Sequence, residues 1–290
     1  MDTTVLVQAL VSGILFGGVF ALAAIGLTLI FGVLNIVNFA HGEFVMLGMY
    51  MAFWAFTLLG LDPILCLGLT IPVFFLIGLA IQRYLIQRVV TARHEMHILL
   101  TLGLLLFLQN LAQTVWSPDS RTVAVSYATS VIQIGTAYVS LPRLAAFIAA
   151  IAISLGLYVF LKRTELGRAI RAASDSREGA LLVGIDVKRI YCIAFGIGTA
   201  CAAAAGSIIT PFYFTSPTAG GIFTLTSFVV VVLGSLGNFV GALVGGLIIG
   251  VAEAMGEVFM PGSMKQVVTF VIFILVLLFR PEGLFGGRKI

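Results

Sequence analysis

Asn35, Asn38, His41 and Glu43 fall within the eleven residues "LNIVNFAHGEF" (34–44), between two long apolar stretches of a chain in which only 10% of residues are charged. On a helix Asn35, Asn38 and Gly42 would share one face, at i, i+3 and i+7, with His41 beside it. Amides and an imidazole left without partners in hydrocarbon cost several kcal/mol each. They must therefore face other helices, fixing how these pack, or a water-filled cavity, lining a route. Hydrolytic chemistry does not fit. His41 and Glu43 are two residues apart and diverge on a helix, no serine or cysteine completes a nucleophilic set, and there is no HExxH. Cys66, Cys192 and Cys201 lie inside apolar segments without metal-ligand spacing, so neither a catalytic residue nor a metal site is expected.

The elements that must position these groups are set by lipid. The 290 residues are 60% hydrophobic, with 32 glycines and a mean hydropathy of +1.16. That composition predicts an all-α polytopic membrane protein with a single domain, 1–290, since helices satisfy their own backbone in hydrocarbon. Residues 1–34 have no basic region before the apolar run, so they read as retained structure and not as a signal peptide. Positive charge gathers at Arg83/Arg88/Arg93, at Lys162 to Arg189, and at Arg280/Arg288/Lys289, while Arg121, Arg143 and Lys265 stand alone. The positive-inside rule puts the three clusters, and with them the C-terminus, in the cytoplasm and residues 116–143 outside.

Crossings are expected at 45–59, 63–82, 97–115, 144–161 and 190–209. Residues 222–236, 239–259 and 265–279 supply three more, some too short for a full span, which suggests broken or re-entrant helices. Val5–Leu34 reads as one tilted helix or two short ones. The total is about eight to ten, and the side of the N-terminus stays open. Outside the membrane, alternation in "TVAVSY" and around "VIQIGTAYVS" suggests a small β element, with Gly135 and Thr136 as a two-residue turn; an irregular loop fits as well.

Similarity between "FGVLNIVNFAHG" (31–42) and "LGSLGNFVGALVGG" (233–246) hints at two related halves flanking a transport site. It adds Asn238 to Asn35, Asn38, His41 and Glu43 as candidate lining of a translocation route. Gly13/Gly17, Gly241/Gly245 and Gly246/Gly250 are GxxxG pairs for close helix packing within the chain or between subunits. No basic stretch is interleaved with aromatics, so no nucleic-acid partner is expected. Residues 162–189 carry seven of the 16 positive charges together with Glu165, Asp175, Glu178 and Asp186. Such mixed charge suits a protein partner better than lipid alone. Alanines favour short helices there, and Ser174 and Asp175 offer a cap.

"GRAIRAASDSREGALLVGIDVKR" resembles the cytoplasmic coupling loop of permease subunits of ATP-binding cassette importers for branched-chain amino acids. "GLTLIFGVLNIVNFAHGEFVMLGMYMAF", "VVVVLGSLGNFVGALVGGLIIGVAEA" and the tail "FRPEGLFG" are similar to that family's flanking segments, so the resemblance spans nearly the whole chain. The loop departs from the literal EAA wording of the wider importer class. The resemblance implies a permease in the cytoplasmic membrane of a bacterium or archaeon. Its implied partners are a second, similar permease, two cytoplasmic ATPases and an extracytoplasmic substrate-binding protein. Coupling would fall to Gly167, Arg168, Arg171, Asp175, Arg177, Glu178, Gly184 and Asp186. The sequence has no GxxxxGK followed by Ser or Thr, so ATP is expected on partner chains and no cofactor on this one. The alternative is an ion-coupled carrier or a channel for small polar solutes. A coupled carrier normally keeps ionisable groups at membrane depth, and only Glu43, Glu253 and Glu257 qualify.

Overall fold

In the computed structural model, which describes residues 3–90, 92–134, 137–259 and 265–286, the uncharged stretch Thr3–Leu34 forms one unbroken helix, α1. It is apolar on every side, as a helix enclosed by protein within a membrane should be, and 83% of its most apolar stretch is buried. Helix α8, Val187–Ile209, is buried to the same 83%. Around this pair stand α2 (His41–Leu59), α3 (Leu67–Tyr84), α4 (His94–Trp116), α5 (Leu141–Arg163), α9 (Ala219–Gly234), α10 (Phe239–Phe259) and α11 (Lys265–Phe279). Seven of the described helices are long and apolar enough to cross a membrane. Helices α9 and α11, of 16 and 15 residues, are the short segments anticipated near the end of the chain.

Small residues decide the packing. Gly26 of α1 backs onto Gly198 of α8, Gly48 of α2 onto Ala203, and Gly78 of α3 onto Thr199, places where an added Cβ would overlap the neighbour. All three GxxxG pairs are used within the chain. Gly13 and Gly17 of α1 seat against Gly250 and Gly246 of α10, and Gly241 against Gly234 of α9. With no hydrophobic drive between helices in lipid, such backbone contact supplies the dispersion energy that holds them together.

The two ends differ. At one, the last turn of α1 meets Ser174 and Gly237, the tail returns through Leu284 N–H to the Leu233 carbonyl at 2.8 Å, and the basic clusters collect. Arg288 and Lys289 lie outside the described residues. At the opposite end Val131–Ile134 (β1) and Ala137–Ser140 (β2) form an antiparallel hairpin; its turn residues Gly135 and Thr136 lie outside the described residues. "TVAVSY" is not a strand. Only Arg121 beside it pairs, with Thr215, and the alternation instead buries Val123 and Val125 under an irregular run. Tyr127 donates to Asp62 Oδ2 at 2.6 Å, tying this run to the α2–α3 link. Burial, with the Asp62 carboxylate adding to it, holds the Tyr127 phenol above its ordinary range and keeps it a donor.

Two halves of the chain run in opposite senses. In one, α1 leads through the non-helical link 35–40 into α2 and then α3; in the other, α8 leads through 210–218 into α9 and then α10. Each long helix packs most extensively on the third helix of the other half, α1 on α10 and α8 on α3. The strings 31–42 and 233–246 are not the equivalent pair. The first lies on the α1–α2 link and the second on the α9–α10 link, and their likeness is that of two helix breaks each holding an asparagine.

Candidate functional site

Asn35 ends α1 in left-handed backbone, with φ 54°, which asparagine tolerates better than most side chains; its side chain is exposed. The chain then doubles back along α1. Asn38 Oδ1 accepts from the Ala40 N–H at 3.2 Å, and His41 Nε2 donates to the Ala23 carbonyl at 2.8 Å. Ala23 lies about 17 Å of helix above the end of α1, at about 1.5 Å per residue. Helix α2 therefore begins at mid-depth.

The link 210–218 enters from the other end. Thr215 exchanges two backbone hydrogen bonds of 2.8 Å with Arg121, and a few residues later Gly220 rests against Glu43. The N-termini of α2 and α9 thus cross at mid-depth. Gly42 N–H donates to Thr224 Oγ1 at 3.0 Å, and a side chain at Gly42 would overlap the Gly220 carbonyl. A Cβ on Gly220 would stand 2.5 Å from Glu43 Oε1, so each glycine makes room for the other helix. The Glu43 side chain, 1% exposed, lies where the N-termini of the two helices meet.

This crossing holds more hydrogen-bonding capacity than the fold uses. Asn38 Nδ2, His41 Nδ1 and Glu43 Oε2 are buried and find no partner among the described residues, although buried polar atoms are ordinarily paired. Asn238 is not brought to it. That residue caps α10 near the basic end, its Oδ1 accepting from the Gly241 N–H at 3.0 Å. Thr224 and Gly220 had no signal in the sequence, being one threonine and one glycine among many.

The second candidate region is the segment between α5 and α8, where α6 (Glu165–Asp175) and α7 (Arg177–Leu182) form the expected short helices. Their caps are Thr164, accepting from the Gly167 N–H at 2.9 Å, and Ser176, accepting from the Gly179 N–H at 3.0 Å. Ser174 and Asp175 were expected to cap. Instead Ser174 Oγ donates to the Gly32 carbonyl at 2.5 Å, fastening α6 to α1 just before its break. Asp186 Oδ1 caps α8 through the Arg189 N–H at 3.2 Å. Arg171 Nη1 donates to the Leu161 carbonyl at 2.9 Å, and Gly167 packs where a side chain would strike the backbone of Leu161.

The exposed members of the set are Arg168, which pairs with Glu165 at 3.6 Å, Asp175, Arg177, Glu178, Asp186 and Gly184, which holds φ 80°. Beside them, Leu181, Leu182 and Val183 are 54%, 88% and 74% exposed. Three consecutive exposed apolar side chains form an apolar patch within a charged segment. The signal was the run "ALLVG" within the polar stretch. Among the described residues no group of three or more His, Cys, Asp or Glu is placed to hold a metal ion.

The family described as "branched-chain amino acid transport system / permease component" matches residues 9–277. The high-affinity branched-chain amino acid transport system permease protein BraD of Pseudomonas aeruginosa is 35% identical over 98% of this chain and 96% of its own. LivH of Escherichia coli K12, a permease protein of the same description, is 31% identical over the same shares. A probable branched-chain amino acid transport permease protein of Methanocaldococcus jannaschii is 28% identical over 94% of this chain and 90% of its own. No solved structure matches.

Proposed function

Because this chain belongs to the branched-chain amino acid transport system permease family, we propose that it is the membrane subunit of an ATP-binding cassette importer for branched-chain or related small amino acids. It sits in the cytoplasmic membrane of a bacterium or archaeon with its C-terminus inside. It works beside a second, similar permease, on two ATPase chains, and receives substrate from an extracytoplasmic binding protein. ATP is bound by those partners alone.

The observation that carries this reading is the build of residues 162–189. A loop that only satisfied the positive-inside rule would need no caps, no buried face and no tie to a transmembrane helix. This one has three side-chain caps, buries Gly167, Ile170 and Ala173, and turns Leu181, Leu182 and Val183 outward. The apolar tip seats in the ATPase, Arg177 and Glu178 fix its register, and Arg171, Gly167 and Asp186 keep the segment rigid. Closure of the ATPases then moves α6, and through Ser174 the end of α1 and the link 35–40. That displacement bears on the crossing of α2 and α9, where the spare groups of Asn38, His41 and Glu43 serve the passing solute. Weak, incomplete binding there suits release.

The test is purification of the tagged chain with its partners, reconstitution, and ATP-dependent leucine uptake. Leu182→Asp should leave the chain in the membrane and lower copurification of the ATPases at least about tenfold, since it removes an exposed apolar anchor that the ATPase would cover and adds a charge. Full ATPase recovery with that variant would overturn the docking role. The buried Glu43 favours the second reading, an ion-coupled carrier, and leucine uptake by the chain alone without ATP would establish it.

A further inference from the structure

The described cavities are mostly apolar. The two largest, about 800 Å³ along α3 and α4 and about 550 Å³ between α3, α5 and α8, are walled almost wholly by carbon. One differs. At the end opposite the coupling segment, α1, α5, α10 and the 210–218 link enclose about 140 Å³ lined by Phe16, Arg143, Phe212, Tyr213, Glu253 and Glu257. At roughly 30 Å³ per water, that is room for one small solute and not for a peptide.

Its cation is placed at some expense to the fold. Arg143 stands in the first turn of α5, where the helix dipole disfavours a cation. Its guanidinium lies 5.9 Å from the Phe212 ring centroid, and among the described residues it forms no hydrogen bond or ion pair. Across the cavity Glu253 Oε1 is oriented by Thr269 Oγ1, which donates to it at 2.8 Å. Beneath, Phe16 packs on Phe20 at 4.8 Å, Phe20 on Phe223 at 6.3 Å, and Tyr213 on Phe223 at 5.6 Å. Phe223 adjoins Thr224 in α9, so a single aromatic layer separates this cavity from the crossing of α2 and α9.

We propose that this cavity is an entry site for a free zwitterionic α-amino acid, a proposal that deepens and rests on the amino acid import reading. Arg143 takes the α-carboxylate as a two-pronged donor, the carboxylates of Glu253 and Glu257 take the α-ammonium, and the rings of Phe16, Phe212 and Tyr213 take the apolar side chain. A sugar would leave the Arg143 guanidinium without a counterpart.

The test is saturation-transfer NMR on the assembled complex without its binding protein, using leucine, 4-methylpentanoic acid, which lacks the amine, and isopentylamine, which lacks the carboxylate. Leucine should bind at least about tenfold more tightly than either analogue, and Arg143→Gln and Glu253→Gln should each weaken it roughly tenfold. Equal binding of leucine and its analogues overturns the proposal with no variant needed. So does a leucine signal unchanged in assembled Arg143→Gln complex, including the case where that variant instead loses its hold on the binding protein and the cavity is a protein docking surface. ATP-driven leucine uptake by the wild-type complex separates the two claims. Uptake absent with an Arg143-dependent signal sinks the import reading alone, and normal uptake with an Arg143-independent signal sinks the entry site alone.

Discussion

Two polar interruptions of an apolar chain, residues 35–43 and residues 162–189, are built on opposite principles. In the second, five polar side chains have tasks that the fold itself sets: Thr164, Ser176 and Asp186 cap helices, Arg171 holds the end of α5, and Ser174 holds the end of α1. What is left exposed is mostly apolar or charged, and suited to a partner. In the first, the backbone is well supported but Asn38, His41 and Glu43 each keep a buried polar atom without a partner. The contrast is one of satisfaction: in 162–189 the polar groups that the fold uses are paired, while 35–43 gathers three buried unpaired atoms in neighbouring positions. Glycine does different work in each as well. At Gly42 space is the constraint and at Gly184 backbone conformation is, because nothing lies within 4 Å of a Cβ there while φ is 80°.

The sharpest way to break this comparison is to place valine at both glycines. Gly42→Val drives methyl groups into the Gly220 carbonyl and Thr224, an overpacking of about 1–3 kcal/mol or more in a site that cannot relax. Immunoblotting of membranes should find the chain depleted severalfold or absent; wild-type abundance would show that α2 and α9 can part. Gly184→Val carries only the left-handed penalty, roughly 1–2 kcal/mol, at an exposed turn. The chain should reach the membrane at normal level, while ATPase activity is no longer stimulated by the loaded binding protein and uptake is lost. Retained stimulation would remove this turn from coupling. The smallest effect is expected where the two regions touch. Ser174→Ala deletes one hydrogen bond, about 1 kcal/mol, and should lower uptake by up to about fivefold with ATPase copurification unchanged. Unchanged uptake would mean that the push reaches the crossing by another route.

Much of this was legible in the sequence. Apolar runs and basic clusters located the crossings to within a few residues, since hydrocarbon admits little but helices and the signal for each lies within its own segment. The polar cluster at 35–43 and the charged segment at 162–189 were visible for the same local reason. The shared helical face expected of Asn35, Asn38 and Gly42 does not form, however, because residues 35–40 leave the helix, and the caps are Thr164, Ser176 and Asp186 in place of Ser174 and Asp175. What the sequence did not yield is which groups meet. The link 210–218, with its aromatic, proline and hydroxyl residues and no amide or charged side chain, gives no sign of being the counterpart of 35–40. Glu253 and Glu257 stood apart from Arg143, and Asn238 was grouped with His41 because their strings look alike. The GxxxG pairs announced close approach but not the helix approached. The Gly42 N–H and the Thr224 hydroxyl are separated by 182 positions, and they meet because glycines on α1, α8 and α10 let those helices close to backbone contact and carry α2 and α9 with them. The sequence by itself determined which segments cross and where the chain is polar; the tertiary structure alone decided the partners, because these follow from long-range helix packing that no local spacing encodes.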